Sequence, residues 1–431
     1  MNFVRLLGVM ALSLVVVACS LAQRPTLRPT LAPIPTLAPD ATPPPTPAPC
    51  PGAPELPDGQ GVNELVDFPL AEALEVADVA WTGTRLVAVG FRPLPGEGYD
   101  GPRQGLVWTS CDGVAWQEYV DPIFQYVTPS AVAALGEDVY VMGTLSTCGP
   151  TYEGQCEDVA EAGNVITRSV AGAAWQRLPS DPEMQTAFDL AFEAVGGRLV
   201  AYGTPNDKNA VLSLWSSANG ESWSKTTNVA GMETIYALVA QGEGMIAFGD
   251  VYREDIEDTT LVVATSADGS AFTAVSAPDL PGATIFDAVQ GPGGYAAVGV
   301  AYPETKDFGV VALALRSADG TTWTEASATD DSFGDSQLDN VHVLPDATGY
   351  VAVGYRLDAD DFTSQLSELW ISTDGASWRS LQQFGSSTSV FTTSAMGPYG
   401  LVVFSSNEDE TAEEIETGVS VYFVPTAAMA P

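Results

Sequence analysis

Ser110-Cys111-Asp112-Gly113-Val114-Ala115-Trp116 is the stretch that decides the fold, because it recurs. It returns as Ser169 to Trp175, Ser217 to Trp223, Ser266 to Phe272, Ser317 to Trp323 and Ser372 to Trp378. The shared pattern is Ser-x-Asp-Gly-x-x-Trp, with Ala171 and Asn219 replacing Asp and Phe272 replacing Trp. Six copies at intervals of roughly 50 residues define a repeat architecture. Asp or Asn before Gly is a tight-hairpin signal, and it predicts positive φ at both central residues. The Asp carboxylate accepts turn amides, the Ser hydroxyl adds a local bond, and the Trp ring starts the returning strand packed on a neighbouring unit.

Working outward, each unit has an apolar strand ending in Gly ahead of the box. These run Leu86 to Gly90, Val139 to Gly143, Leu199 to Gly203, Met245 to Gly249, Tyr295 to Gly299 and Tyr350 to Gly354, and a seventh, Leu401 to Ser405, has no box after it. Another short strand precedes each, such as Val76 to Trp81 or Thr284 to Val289. Four antiparallel strands per unit, without helical periodicity, read as the blades of a β-propeller. The last unit lacks its fourth strand, and Val62 to Leu70 at the other end has no unit of its own. Together they complete a seventh blade, and closing the ring removes exposed sheet edges. The expected class is all-β: one seven-bladed propeller over 59–431, its ring closed by the N-terminal strand.

These repeats resemble the Asp boxes (BNR repeats) of sialidase-like β-propellers, whose box reads Ser-x-Asp-x-Gly-x-Thr-Trp. The present version is one residue shorter between Asp and Gly, and only the Asp319 copy keeps Thr before Trp, at Thr322. The resemblance covers roughly residues 62–424. In that family the box is a structural turn, so it implies architecture and no catalytic residue.

Ahead of the propeller, Arg5, the apolar run Leu6 to Val17 and Val16-Val17-Ala18-Cys19 resemble a bacterial lipoprotein signal. Residues 1–18 are then a cleaved signal, too short to span a bilayer, with Cys19 the lipidated residue. Pro-Thr-Leu and Ala-Pro units make 19–58 a polyproline-like tether, long enough at ~3.1 Å per residue to hold a domain on the order of 100 Å from a membrane. The expected location is extracytoplasmic, with the lipid anchor as the only contact with the membrane.

A formal net charge of −39 with three Lys argues against nucleic acid and anionic lipid as partners. Two readings stand for it: a solvated acidic coat, or loading of cations by acidic loops. Four cysteines remain beside Cys19, which in an exported chain suggests disulfides. Cys148 and Cys156 share one loop, leaving Cys50 for Cys111.

First-to-second-strand turns and box turns are short and fall on one face of the ring. Second-to-third-strand loops (91–104, 144–164, 250–260, 300–309, 355–367 and 405–417) are long and fall on the other, where a rigid scaffold presents binding residues. Asp78, Asp189, Asp287 and Asp339 occupy similar positions at inner-strand starts, as caps or as a carboxylate rim that takes calcium. Arg92, Tyr252, Arg253, Tyr302, Tyr355 and Arg356 follow second-strand ends at the same mouth, and aromatics with a few polar groups suit a sugar or peptide. No other cofactor is expected.

No catalytic residue is assigned. The single histidine, His342, is read as structural, and no nucleophile motif accompanies it. The sialidase resemblance would imply an arginine triad, a Tyr–Glu pair and an Asp acid. Phe91-Arg92-Pro93-Leu94 resembles that family's Phe-Arg-Ile-Pro but lacks the Ile. Two functions follow: a non-catalytic binding or scaffold module for glycan, peptide or envelope protein, or a sialidase-like exo-glycosidase. Convergence of Arg92, Arg253 and Arg356 would favour the second.

Overall fold

The computed structural model describes Cys50 and residues 61–430, apart from short segments at 66–67, 70–74, 95–101, 149–158, 173, 207–210, 303–308, 330–332, 358–364, 387–388 and 410–415. The expected lipidation site, most of the tether and the Cys156 end of the Cys148–Cys156 pairing lie outside the described residues.

Seven blades of antiparallel strands form a β-propeller, with helix confined to short turns such as Pro182–Gln185. The first blade runs Glu75–Trp81, Leu86–Pro93, Arg103–Ser110 and Trp116–Tyr119 from the axis outward. Five more follow in chain order with inner strands Val127–Leu135, Phe188–Val195, Thr234–Gln241, Ala283–Gly291 and Ser336–Val343. The seventh combines Ser389–Met396, Gly400–Asp409 and Glu416–Pro425 with Asn63–Glu64 from the start of the chain. Asn63 pairs with Phe423 and Glu64 with Tyr422, and the Leu65 amide donates to the Val421 carbonyl at 2.8 Å. The ring therefore closes through the N-terminal strand, as the leftover segments predict.

The core is divided among the blade boundaries. Among the described residues, buried apolar side chains form seven clusters, each spanning two adjacent blades. A blade's sheet is apolar on both faces, so it is stable only between neighbours. At the closure, Phe68 packs against Trp108, Trp116 and Phe404, with ring centroids 5.4–5.6 Å apart. The N-terminal segment thus fills the junction as well as capping the edge.

The boxes are looser turns than the tight hairpin expected, although in the second both Ala171 and Gly172 take positive φ, at 48° and 80°. In the first, Ser110 pairs with Trp116 around a loop of residues 111–115. Only Gly113 takes positive φ, at 83°. Asp112 stays at negative φ because its Oδ1 accepts the amides of Val114 and Ala115, each at 2.8 Å. The Ser110 hydroxyl accepts from Gly113 at 2.8 Å, and Trp116 Nε1 donates back to the Gly113 carbonyl. The same bonds recur around Asp319 and Asp374. Bonds from the Thr321 amide and hydroxyl, the Thr322 amide and the Ser317 hydroxyl lower the Asp319 carboxyl to about 2.

The Gly-ended strands are explained by a bulge that recurs in every inner strand. An extra residue there bends the strand and drives the carbonyl before it across the sheet. A Cβ on Gly299 would lie 1.9 Å from the Thr284 carbonyl oxygen, and one on Gly354 2.0 Å from that of Gln337.

Several expected long loops are strand. Asp138–Cys148 pairs with Val159–Ser169, and Gly244–Arg253 pairs with Asp258–Ser266 to the tip. The hairpins themselves project from that face.

Candidate functional site

The bulge decides where the four aspartates lie. Asp78 and Asp287 share one register position, immediately after it. Asp339 is the bulged residue itself, and Asp189 lies within the register shift between Phe188 and Ala191, with φ 49°. The four therefore do not form the matched rim expected, because one residue of offset re-aims a side chain in a strand.

Asp78 and Asp287 turn into the axial region and stitch blades together. Asp287 accepts from its neighbour Ala288 at 2.7 Å and from Val341, in the sixth blade, at 2.9 Å. Asp78 accepts from Val79 at 2.7 Å and from Val132, in the second blade, at 2.8 Å. Asn340 repeats the device with Ser394 of the seventh blade, and Thr393 donates to Asp78 across the closure. Two of the four, Asp78 and Asp287, thus accept an amide of their own blade and also one across the blade boundary.

A third acid, Glu193 of the third blade, joins them in the axial region and accepts from the Tyr202 hydroxyl at 3.1 Å. Burial, then the charges of Asp287 and Asp78, pushes Glu193 up to about 8. Burial likewise raises Asp78 to about 6 and Asp287 to about 7, against amide bonds that favour their ionised forms. His342 is also enclosed: it shares a 2.8 Å hydrogen bond with Ser394, and burial lowers it to about 4. It is neutral at physiological pH, as a structural histidine would be.

The expected mouth residues divide into two sets. The arginines are each held by acids near their own blade. Arg92 lies 3.6 Å from Glu118, and Arg253 pairs with Asp255 at 2.6 Å and Asp279 at 3.2 Å. Arg356 makes two bonds, at 2.7 and 3.2 Å, to the buried Glu368 of the adjacent strand. Tyr252 is exposed beside Arg253.

Tyr302, Tyr355 and Asp339 do come together, joined by two residues the sequence did not single out. Tyr236 is the bulged residue of the fourth blade, the counterpart of Asp339 in the sixth, and its hydroxyl donates to Asp250 at 2.9 Å. Tyr302 follows the second strand of the intervening fifth blade, and Tyr355 pairs with Gln337 beside Asp339. Burial, with Asp339 and Tyr302 as neighbours, raises the Tyr355 hydroxyl far above its usual range. Tyr236 is raised to about 12 by burial and by its bond to Asp250. Asp339 accepts from Gln337 at 2.6 Å through Oδ1, while its buried Oδ2 has no hydrogen-bond partner. Burial pushes this carboxyl up to about 6.

Among the described residues no group of three or more His, Cys, Asp or Glu is placed to hold a metal ion. Cys50 and Cys111 form a disulfide, with Cα atoms 5.4 Å apart. It ties the segment ahead of the propeller to the first box turn, where Cys50 Sγ also lies 3.3 Å from the Thr84 carbonyl on a short turn.

A scan against protein-family models gives no match, and neither does a search of curated proteins. Solved structures similar to this chain are sialidases and other β-propellers. The Trypanosoma rangeli sialidase, in complex with 2,3-difluoro-KDN, is 9% identical over 83% of this chain and 54% of its own, with TM-score 0.43. The chain thus spans about half the length of that sialidase. The phage phi92 endosialidase is 10% identical over 85% of this chain and 69% of its own, with TM-score 0.43. The β-propeller domain of the Trilobed protease from Pyrococcus furiosus is 10% identical over 80% of this chain and 95% of its own, with TM-score 0.49. These likenesses concern the propeller fold alone.

Proposed function

We propose that this is a lipid-anchored, extracytoplasmic β-propeller that binds a glycan, a peptide or another envelope protein at its long-loop face, without catalysis. The observation that carries this reading is the disposition of the arginines. Recognition of a sialic acid carboxylate needs guanidiniums converging on one point, and Arg92, Arg253 and Arg356 are occupied by separate acids in the first, fourth and sixth blades. The acids of the axis and mouth further oppose an anionic sugar. The boxes are proposed to be Asp boxes of the sialidase-like type, a reading supported by the repeated turn in which Asp and Ser accept amides and Trp donates back.

Anchoring through Cys19 rests on the Val16 to Cys19 pattern. The Cys50–Cys111 disulfide itself lies on the short-turn face, beside Thr84.

A fluorogenic sialoside offered to the full chain tests the non-catalytic reading. No turnover is expected; turnover abolished by Tyr355→Phe would establish the glycosidase instead. Loss of detergent-phase partitioning in Cys19→Ala tests the anchor, and a mutant that still partitions would refute it.

A further inference from the structure

We infer that the mouth between the fourth, fifth and sixth blades binds an alkylammonium group, a cationic amine carried by a lysine side chain or a polyamine. The inference rests on the binding-module reading above and names the ligand chemistry of that face. Three successive blades each place a tyrosine at this end of the ring: Tyr236 on one bulge, Tyr302 just beyond its strand, and Tyr355 paired with Gln337 beside the second bulge. Phenol faces attract cations through the ring quadrupole, and several rings around one point make a cage for an ammonium. Two acids accompany them: Asp250, which accepts from the Tyr236 hydroxyl, and Asp339, on the bulge beside Tyr355.

Asp339 is the independent sign of a ligand. Its Oδ1 is satisfied by Gln337, but Oδ2 is buried and has no donor. A buried carboxylate oxygen without a donor is costly, and among the eight such buried polar atoms Asp339 Oδ2 is the only carboxylate oxygen in the described residues. Tyr302 is 52% exposed, so a cation reaches that ring directly from solvent.

The alternatives fit less well. An anion would meet two acids, while the nearest arginines of these blades are bound to Asp255, Asp279 and Glu368. A hard metal ion needs several oxygen ligands at one point, and the described residues offer no such group. A neutral sugar could donate a hydroxyl to Oδ2 but would leave the charge uncompensated.

Calorimetric titration of the full chain with spermidine, with an acetylated lysine tripeptide amide and with an uncharged oligosaccharide tests the inference. Binding of spermidine, the peptide or both is expected, weakening with salt. Asp339→Asn keeps the side chain's shape and should weaken it roughly tenfold, and Tyr302→Ala, at an exposed position, by a similar factor. Unchanged melting of both variants would show that the loss is local. Response to the tripeptide alone would mark a peptide ligand, and response to spermidine alone a free polyamine. No amine binding by the wild type, or equal binding by Asp339→Asn, overturns the inference. If the oligosaccharide alone binds, the amine site is wrong while the binding-module reading stands.

Discussion

Asp287 of the fifth blade accepts the backbone amide of Val341 in the sixth at 2.9 Å, and Asp78 does the same for Val132 between the first and second at 2.8 Å. In both cases the partner lies 54 residues on, one full repeat, so a single side-chain position locks consecutive blades. Each acid satisfies two amides. Asp287→Ala would leave both without an acceptor, and urea unfolding should show a loss of about 2–4 kcal/mol. Asp287→Asn, which keeps one carbonyl acceptor, should lose less. Equal stability of Asp287→Ala and wild type would contradict the locking role.

The same acids set the pH dependence of stability. Asp78, Asp287, Asp339 and Glu193 have folded pKa values near 6, 7, 6 and 8, above the ordinary carboxylate range. Between about pH 4 and 8 the native state therefore binds more protons than the unfolded chain, and stability falls as pH rises. His342, lowered to about 4, opposes this between about pH 4 and 6.5, one group against four. The melting temperature at fixed ionic strength should rise on going from pH 8 to pH 5. Glu193→Gln should flatten that slope above pH 6; a slope identical to wild type would remove the axial acids as its cause.

The bulges make a sharp prediction for the glycines opposite them. Gly354→Ala places a methyl 2.0 Å from the Gln337 carbonyl, so backbone must shift. A loss on the order of 3 kcal/mol or more is expected by denaturant titration, the upper end of overpacking costs. An alanine tolerated there without loss would mean the bulge is not fixed.

The Cys50–Cys111 bond spans 61 residues. Loop-closure entropy assigns it about 4 kcal/mol. Cys50→Ser should lower stability by that order, whereas removing residues 20–48 should leave the melting temperature unchanged. A destabilised truncation would mean that the tether contributes to folding.

The architecture was legible because it is written in local chemistry repeated along the chain. Ser110, Asp112 and Trp116 satisfy each other within one turn, so their pattern survives in sequence, as does Gly354, which only a missing Cβ permits. The leftover Val62 to Leu70 segment announced the closure for the same arithmetic reason. The bulge left no such mark: an extra residue in a strand changes register without changing composition. That is why Asp339 and Asp78 look equivalent in sequence and point to different places. Glu193 and Asp250 were overlooked for a related cause. A lone Glu in Phe192-Glu193-Ala194-Val195 and an acid directly after Gly249 were the available signals, but each matters only through neighbours from other blades. The arginines misled because proximity to a strand end says nothing about which acid takes the guanidinium.

The central claim is that the long-loop mouth binds and does not catalyse. Its most direct test is the full chain on combined glycan and peptide arrays, compared with Tyr355→Ala at the mouth and Asp319→Asn in a box turn on the opposite face. The account predicts ligands retained by Asp319→Asn and lost by Tyr355→Ala. Ligands bound equally by both variants would contradict it.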